Sequence, residues 1–319
     1  MIERVCIVGA GAIGSLYAGH LAQVCDVSVL TRRREQAEAL QAQGLRISGR
    51  SDLHARVTAS ADPAALPPCD VAIVATKATG LEAAATALEG HFPEATVLTV
   101  QNGLGAEAVV RRHGDWPLVS GVTFMSGTRH DDTHVEYILD TPTWLGPYDR
   151  VPFERVQEAA DLLVAAGLKA EALPDLRPAQ WSKLIFNATV NSVAALTGLR
   201  HREHFAMLGQ PSDLGHLVRD LVDEGKAVAA AAGIELHDDP WEMNVLATQR
   251  GSAHAPSMLE DVEAHRPTEI ELITGSLVRE GERLGVPVPL HTAMYRLIKA
   301  KEASWGKQGT PEPTERRQG

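Results

Sequence analysis

Cysteine is scarce in this chain, and what there is excludes two classes at once. Cys6, Cys25 and Cys69 are the only three in 319 residues, and they form no C-x-x-C pair and no zinc-ligand spacing. A disulfide framework is therefore not expected, and free thiols suit a reducing cytoplasm. Cys6 lies in an apolar stretch, where a buried thiol is the plain reading. Long apolar runs are lacking too: none approaches the roughly 18 residues of a membrane-spanning helix. Positive charge is in deficit. The formal net charge of −11 argues against a nucleic-acid surface or an anionic membrane as partner, although a local basic pocket for a small anion remains compatible with it. There is no internal repeat, no G-x-S-x-G nucleophile motif, and no metal motif among the histidines, His201 and His204 included.

What is present is concentrated at the start. Val5-Cys6-Ile7-Val8 reads as a short apolar strand, followed by Gly9-Ala10-Gly11-Ala12-Ile13-Gly14 and a helix-like segment carrying Leu16, Tyr17, Ala18 and Leu21. A G-x-G-x-x-G between strand and helix is the dinucleotide-binding pattern. Gly9 permits the tight turn, Gly11 lets backbone approach a pyrophosphate, and Gly14 lets helix pack on strand. The phosphates meet free N–H groups at the positive end of the helix dipole. The bland alternative is a glycine-rich turn that binds nothing. An Arg4 ahead of the apolar run resembles a signal peptide only superficially, because the three glycines follow.

The second strand, Val27-Ser28-Val29-Leu30, ends in Thr31-Arg32-Arg33-Arg34. An NAD-binding fold usually has an acidic residue about 20 residues past the glycines, for the ribose 2′-hydroxyl. Here guanidinium groups stand instead, which suits a 2′-phosphate and therefore NADP(H). Arg32 is the best placed, and Arg33 or Arg34 also reads as a solvated helix start. Strands are further expected at 45–48 paired with 55–59, and at 70–75 and 95–100. The last two end in Lys77 and in Gln101-Asn102-Gly103, at the carboxyl ends where ligands bind. Lys77 reads equally as a surface lysine, and Asn102 as part of a simple turn. More strands fall near 118–124, 134–139, 143–145 and 169–173, with a helix at 152–166.

From Pro178 onward the pattern is helical, so a boundary is expected near Pro174 to Pro178: domains 1–174 and 175–305, then a polar, Pro/Gly-rich tail at 306–319 expected to be disordered. The helix 180–196 places Lys183, Asn187 and Asn191 at i, i+4 and i+8, on one face. Polar groups within an apolar segment are costly to bury unless a ligand or partner meets them; an outward stripe is the alternative. Ser257 has capping-box spacing to Glu260. Pro267 reads as the start of a helix over 268–284, which places Glu269 in its first turn, where a helix dipole favours a carboxylate.

Taken together, the sequence resembles the ketopantoate reductase family. The resemblance is carried in order by Gly9–Gly14, Thr31-Arg32, Lys77, Gln101-Asn102-Gly103, Trp181-Ser182-Lys183 with Asn187 and Asn191, Ser257-Met258-Leu259-Glu260-Asp261, and Arg266-Pro267-Thr268-Glu269-Ile270. It implies an α/β fold: an N-terminal Rossmann-type domain, then an all-helical C-terminal domain of the 6-phosphogluconate-dehydrogenase-like type, with the active site in a cleft between them. It implies reduction of the 2-keto group of ketopantoate to (R)-pantoate with NADPH. Lys183 would be the general acid, with Glu269 the second catalytic group. The cofactor would be held by Gly9, Ala10, Gly11, Ala12, Ile13, Gly14, Arg32, Lys77, Asn102 and Glu269. The substrate would be held by Asn102, Lys183, Asn187, Asn191 and Ser257. No metal is implied. The expected partner is a small 2-keto acid, in a cytoplasmic monomer or homodimer. Two departures bear on the substrate: Leu199-Arg200-His201-Arg202 replaces a common Asn-Gly pair, and Thr274 replaces a common Asn. The competing readings are a paralogue for another 2-keto acid and an NADP-binding sensor without chemistry.

Overall fold

The computed structural model describes residues 2–201, 212–249 and 255–305. The expected tail at 306–319, residues 202–204 and residues 251–254 lie outside the described residues. The chain divides into two compact units at Gln180/Trp181. That division falls inside a long helix, Arg177–Thr197, a few residues beyond the proline-bounded position expected from composition.

The first unit runs β1 (Arg4–Val8), α1 (Ala12–Leu21), β2 (Asp26–Leu30), α2 (Arg34–Gln43), β3 (Leu45–Gly49), β4 (Leu53–Ala55), β5 (Thr58–Ser60), β6 (Val71–Val74), α3 (Leu81–Leu88), β7 (Thr96–Thr99), α4 (Ala106–Arg111), β8 (Leu118–Thr123), β9 (Ser126–Arg129), β10 (His134–Leu139), β11 (Thr143–Pro147), α5 (Phe153–Ala165) and β12 (Ala170–Ala172). The main sheet has the order β12-β11-β8-β7-β6-β1-β2-β5. Its pairs are parallel except β8 with β11. The stretch β5-β2-β1-β6-β7-β8 is the 3-2-1-4-5-6 order of a doubly wound sheet, and the order reverses between β1 and β6. Central strands β6 and β7 are buried at every residue, as a sheet covered on both faces requires. Ile7, Ile73 and Leu98 of the strands share one core with Leu16, Tyr17 and Leu21 of α1.

One expected pairing divides in two. The 55–59 stretch was to pair with 45–48; instead Leu53–Ala55 turns back antiparallel on β3, while Thr58–Ser60 joins β2 in the main sheet. Each segment is three residues long, and pairing is decided by distant partners rather than local pattern. β3 also pairs with β10, so β4-β3-β10-β9 form a separate four-stranded sheet.

The second unit holds most of α6 (Arg177–Thr197), then α7 (Asp213–Ala231), α8 (Pro240–Gln249), α9 (Ser257–Glu263), α10 (Thr274–Leu284) and α11 (Pro289–Trp305). Residues 181–195 of α6 are buried throughout, so α6 is a central helix with no outward face there. Around it, Val193 packs with Val218 and Leu221 of α7, and Ala194 with Leu259 of α9. The Ser192 hydroxyl lies 2.8 Å from that of Thr274 in α10. Lys301 of α11 donates to the Ala195 carbonyl at 2.9 Å, placing a cation near the end of α6 where the dipole favours one. No helix among the described residues is long and apolar enough to cross a membrane.

Candidate active site

In the first unit, the glycine turn lies where the strand order reverses. Gly9 has φ +103°, a left-handed conformation that costs glycine little, and its N–H donates to the Leu30 carbonyl at 2.9 Å. A Cβ on Gly9 would come within 2.7 Å of Thr76 Cγ2 at the end of β6, and one on Gly14 within 2.0 Å of the Gly9 carbonyl oxygen. A Cβ on Gly11 would meet nothing within 4 Å. The turn is thus tight at its first and last glycines and open at the middle one. Gly11 is also the N-cap of α1, and no side chain caps that end. The first N–H groups of a helix have no partner within it, so this opening is lined by backbone donors. Ala10 is buried, and its carbonyl accepts from Gln36 of α2 at 2.9 Å. Ala12 and Ile13 are half-buried.

Of the three arginines past β2, Arg33 forms an ion pair with Asp132. Arg34 is the first residue of α2. Arg32 is exposed and has no side-chain partner among the described residues. Lys77 is exposed at the end of β6 and opens a 3-10 turn, Ala78–Gly80; Asn102 is half-buried past β7. Between them stands Gln101, named with Asn102 in the sequence but given no role of its own there. Gln101 donates through Nε2 to the carbonyls of Val74 and Thr76, at 2.8 and 3.0 Å, tying the ends of β6 and β7 together. Its Oε1 and the Thr76 hydroxyl are buried without a hydrogen-bond partner. Gln36, which donates to the Ala10 carbonyl, was missed. Neither has a periodicity to mark it; Gln101 had only its place at a strand's carboxyl end.

In the second unit, Lys183, Asn187 and Asn191 are all buried, which removes the outward-stripe alternative. Burial pushes the Lys183 ammonium down to about 8, and the Glu269 carboxylate opposes part of that fall. A lysine in this range is mostly protonated at neutral pH yet gives up its proton readily. The Asn191 Oδ1 accepts the Met258 N–H at 3.3 Å, satisfying a donor in the first turn of α9. The α6 face thus meets α9 through Asn191 and the charge of Glu269 through Lys183.

Two local expectations are corrected. Ser257 is the first residue of α9 and exposed; its N-cap is Pro256, with no side-chain cap. Glu269 is not in the first turn of a helix over 268–284: α10 starts at Thr274, and 269–273 is a run of turns. The local bonds explain this. The Thr268 hydroxyl accepts the Ile270 N–H at 3.3 Å, and Ile273 (φ −92°, ψ −94°) departs from helical geometry. Serine and threonine hydroxyls compete with the helical ladder in this way. Thr274 itself is fully buried against Ser192.

A doubly wound sheet with an open glycine turn at its switch point, followed by a helical unit with a buried lysine and carboxylate, defines the two-domain class of dinucleotide-dependent reductases. Within that class the chain belongs to the ketopantoate reductase family. Residues 5–150 match the family described as "Ketopantoate reductase PanE/ApbA", and residues 175–302 match "Ketopantoate reductase PanE/ApbA C terminal". The chain is 31% identical to the 2-dehydropantoate 2-reductase of Archaeoglobus fulgidus, over 95% of this chain and 99% of that protein. Among solved structures, a PanE/ApbA family ketopantoate reductase from Ralstonia eutropha superposes with a TM-score of 0.85 at 28% identity, covering 95% of this chain and 100% of the other. A D-mandelate dehydrogenase, solved with NADH and anilino(oxo)acetate, has the same TM-score and coverage at 25% identity.

Proposed function

We propose that this chain reduces 2-dehydropantoate to (R)-pantoate with NADPH, the reduction that leads towards coenzyme A. The observation that carries the reading is Lys183: a buried ammonium whose pKa is lowered to about 8, with the Glu269 carboxylate acting on it and Asn187 and Asn191 along its helix face.

The first unit suits the nucleotide. The opening at Gly11, the uncapped start of α1 and the orphaned Thr76 and Gln101 atoms are features that a dinucleotide would fill. Gly9 to Gly14 would hold the pyrophosphate, with Lys77 and Asn102 at the neighbouring strand ends. Arg32 would grip a 2′-phosphate, which favours NADPH over NADH. When bound, the reduced nicotinamide supplies the hydride for the keto carbon. Lys183 donates a hydrogen bond to the keto oxygen, polarises the carbonyl, and delivers the proton that makes it a hydroxyl. Glu269 favours the charged form of the lysine and also serves as a polar contact on the cofactor side. Asn102, Asn187, the free amide of Asn191 and Ser257 hold the substrate's carboxylate and hydroxyl.

A second reading, the same chemistry on another 2-keto acid, is favoured by the departures at 199–202 and by the likeness to D-mandelate dehydrogenase. One experiment separates the two: oxidation of NADPH and of NADH is followed with ketopantoate and with a panel of aliphatic and aryl 2-keto acids. Ketopantoate with NADPH is the pair expected to give the highest kcat/KM. Turnover of the panel without ketopantoate selects the second reading, and no turnover of any keto acid rejects both.

A further inference from the structure

Glu269 sits in a segment that is not helical, and the last helix explains why. Glu302 of α11 accepts two hydrogen bonds on one oxygen, Oε1: from the Thr268 N–H at 2.8 Å and from the Thr268 hydroxyl at 2.7 Å. The same hydroxyl accepts the Ile270 N–H. The residues before and after Glu269 are therefore tied to one another, and through Thr268 to α11. The Glu269 carbonyl accepts the Ile273 N–H at 3.1 Å, closing the turn. Thr268 is 3% exposed and Glu269 7%. Bonds to a carboxylate are about twice as strong as neutral ones. The Glu302 carboxylate also has Lys299 one turn away, 3.5 Å from Oε2. A surface ion pair of that kind contributes little by itself, and it leaves Oε1 for Thr268.

We propose that Glu302 is a positioning residue for Glu269: acting through Thr268, it holds the turn that fixes where the Glu269 carboxylate stands. This deepens the reading above and rests on Lys183 and Glu269 being the reacting pair. The requirement is for an acceptor oxygen at Oε1, not for negative charge, because both Thr268 groups are donors. Glutamine keeps that oxygen; alanine removes it.

The test compares Glu302→Ala, Glu302→Gln, Glu269→Gln and the double variant Glu302→Ala/Glu269→Gln in the full chain. Glu302→Ala is expected to lower kcat by about 10-fold or more, since small misplacements at a reacting centre are costly, while KM for NADPH changes by less than about twofold. Glu302→Gln is expected to stay within about threefold of the parent. In the Glu269→Gln background, Glu302→Ala is expected to cost nothing further, as for two residues acting through one interaction. A second readout is independent of turnover: the titration midpoint of Lys183, followed by NMR in protein labelled at lysine Cε. It is expected to fall in Glu302→Ala as it falls in Glu269→Gln, and to hold in Glu302→Gln. Should Glu302→Ala fail to fold, Thr268→Val removes the bridging hydroxyl alone and is expected to shift kcat and the midpoint the same way. Unchanged kcat and midpoint in Glu302→Ala overturn the inference, as do additive losses or a Glu302→Gln variant as impaired as Glu302→Ala. A parent chain that reduces no keto acid instead rejects the functional reading, and the NMR arm still decides the positioning role.

Discussion

The Lys183 ammonium and the Glu269 carboxylate act on one another inside the helical unit, and the balance between burial and that carboxylate leaves the lysine at about 8. Burial lowers the pKa because a charge is costly away from water; the carboxylate raises it because the charged form gains a partner. On the proposed mechanism the ammonium is the active form in the reductive direction and the neutral amine in the oxidative one. The rate of keto-acid reduction is therefore expected to be flat below pH 7 and to fall as pH rises through about 8. Oxidation of the hydroxy acid needs the neutral amine and is expected to rise through the same pH. Rate profiles in both directions, taken at saturating cofactor, check this. A reductive rate that holds to pH 10 removes Lys183 as proton donor.

Removing the lysine is the direct counterpart. Lys183→Ala is expected to lower kcat by about 10² to 10⁴-fold, the range for loss of a general acid. NADPH binding, measured by fluorescence titration, is expected to hold, because the glycine turn and Arg32 belong to the other unit. An undiminished kcat contradicts the role assigned to Lys183.

Arg32 and Arg33 differ in commitment. Arg33 is paired with Asp132, while Arg32 is exposed. Arg32→Ala is expected to weaken NADPH by about 10- to 100-fold, the worth of roughly 1.5–3 kcal/mol of charged hydrogen bonding, and to leave NADH almost unchanged. Arg33→Ala is expected to discriminate far less. Equal losses for both cofactors in Arg32→Ala exclude a 2′-phosphate contact.

The glycine turn offers a paired test. Gly14→Ala places a methyl 2.0 Å from the Gly9 carbonyl oxygen, whereas Gly11→Ala meets no atom within 4 Å. Gly14→Ala is expected to lower Tm by several degrees, consistent with about 1–3 kcal/mol for a forced contact. Gly11→Ala is expected to keep Tm yet weaken NADPH, because its methyl occupies the space open to the pyrophosphate. Thermal melts with and without NADPH separate the two. Loss of stability in Gly11→Ala, with affinity retained, reverses the assignment of that opening.

The parts legible in the sequence are those specified by neighbours along the chain. The turn from Gly9 to Gly14 announces itself because strand, glycines and helix follow one another within a few residues. The alignment of Lys183, Asn187 and Asn191 follows from 3.6 residues per turn. What periodicity could not say is whether that face looks outward; burial of all three is set by helices far along the chain. Glu269 was legible as a residue but not in its setting, because Glu302 takes the donors of Thr268 and the turn replaces the expected helix. Likewise, Thr58–Ser60 looks like part of a local pairing until β2 claims it.

The sequence by itself determined the α/β first half with its glycine turn, the helical second half, and the alignment of Lys183, Asn187 and Asn191 on one helix face, since each rests on short-range spacing and turn chemistry. Only the tertiary structure decided that Lys183 is desolvated with the Glu269 charge acting on it, that Gln101 ties the ends of β6 and β7 together, and that Glu302 accepts from Thr268 beside Glu269. Desolvation and long-range hydrogen bonds depend on which distant segments come together, and no local pattern encodes that.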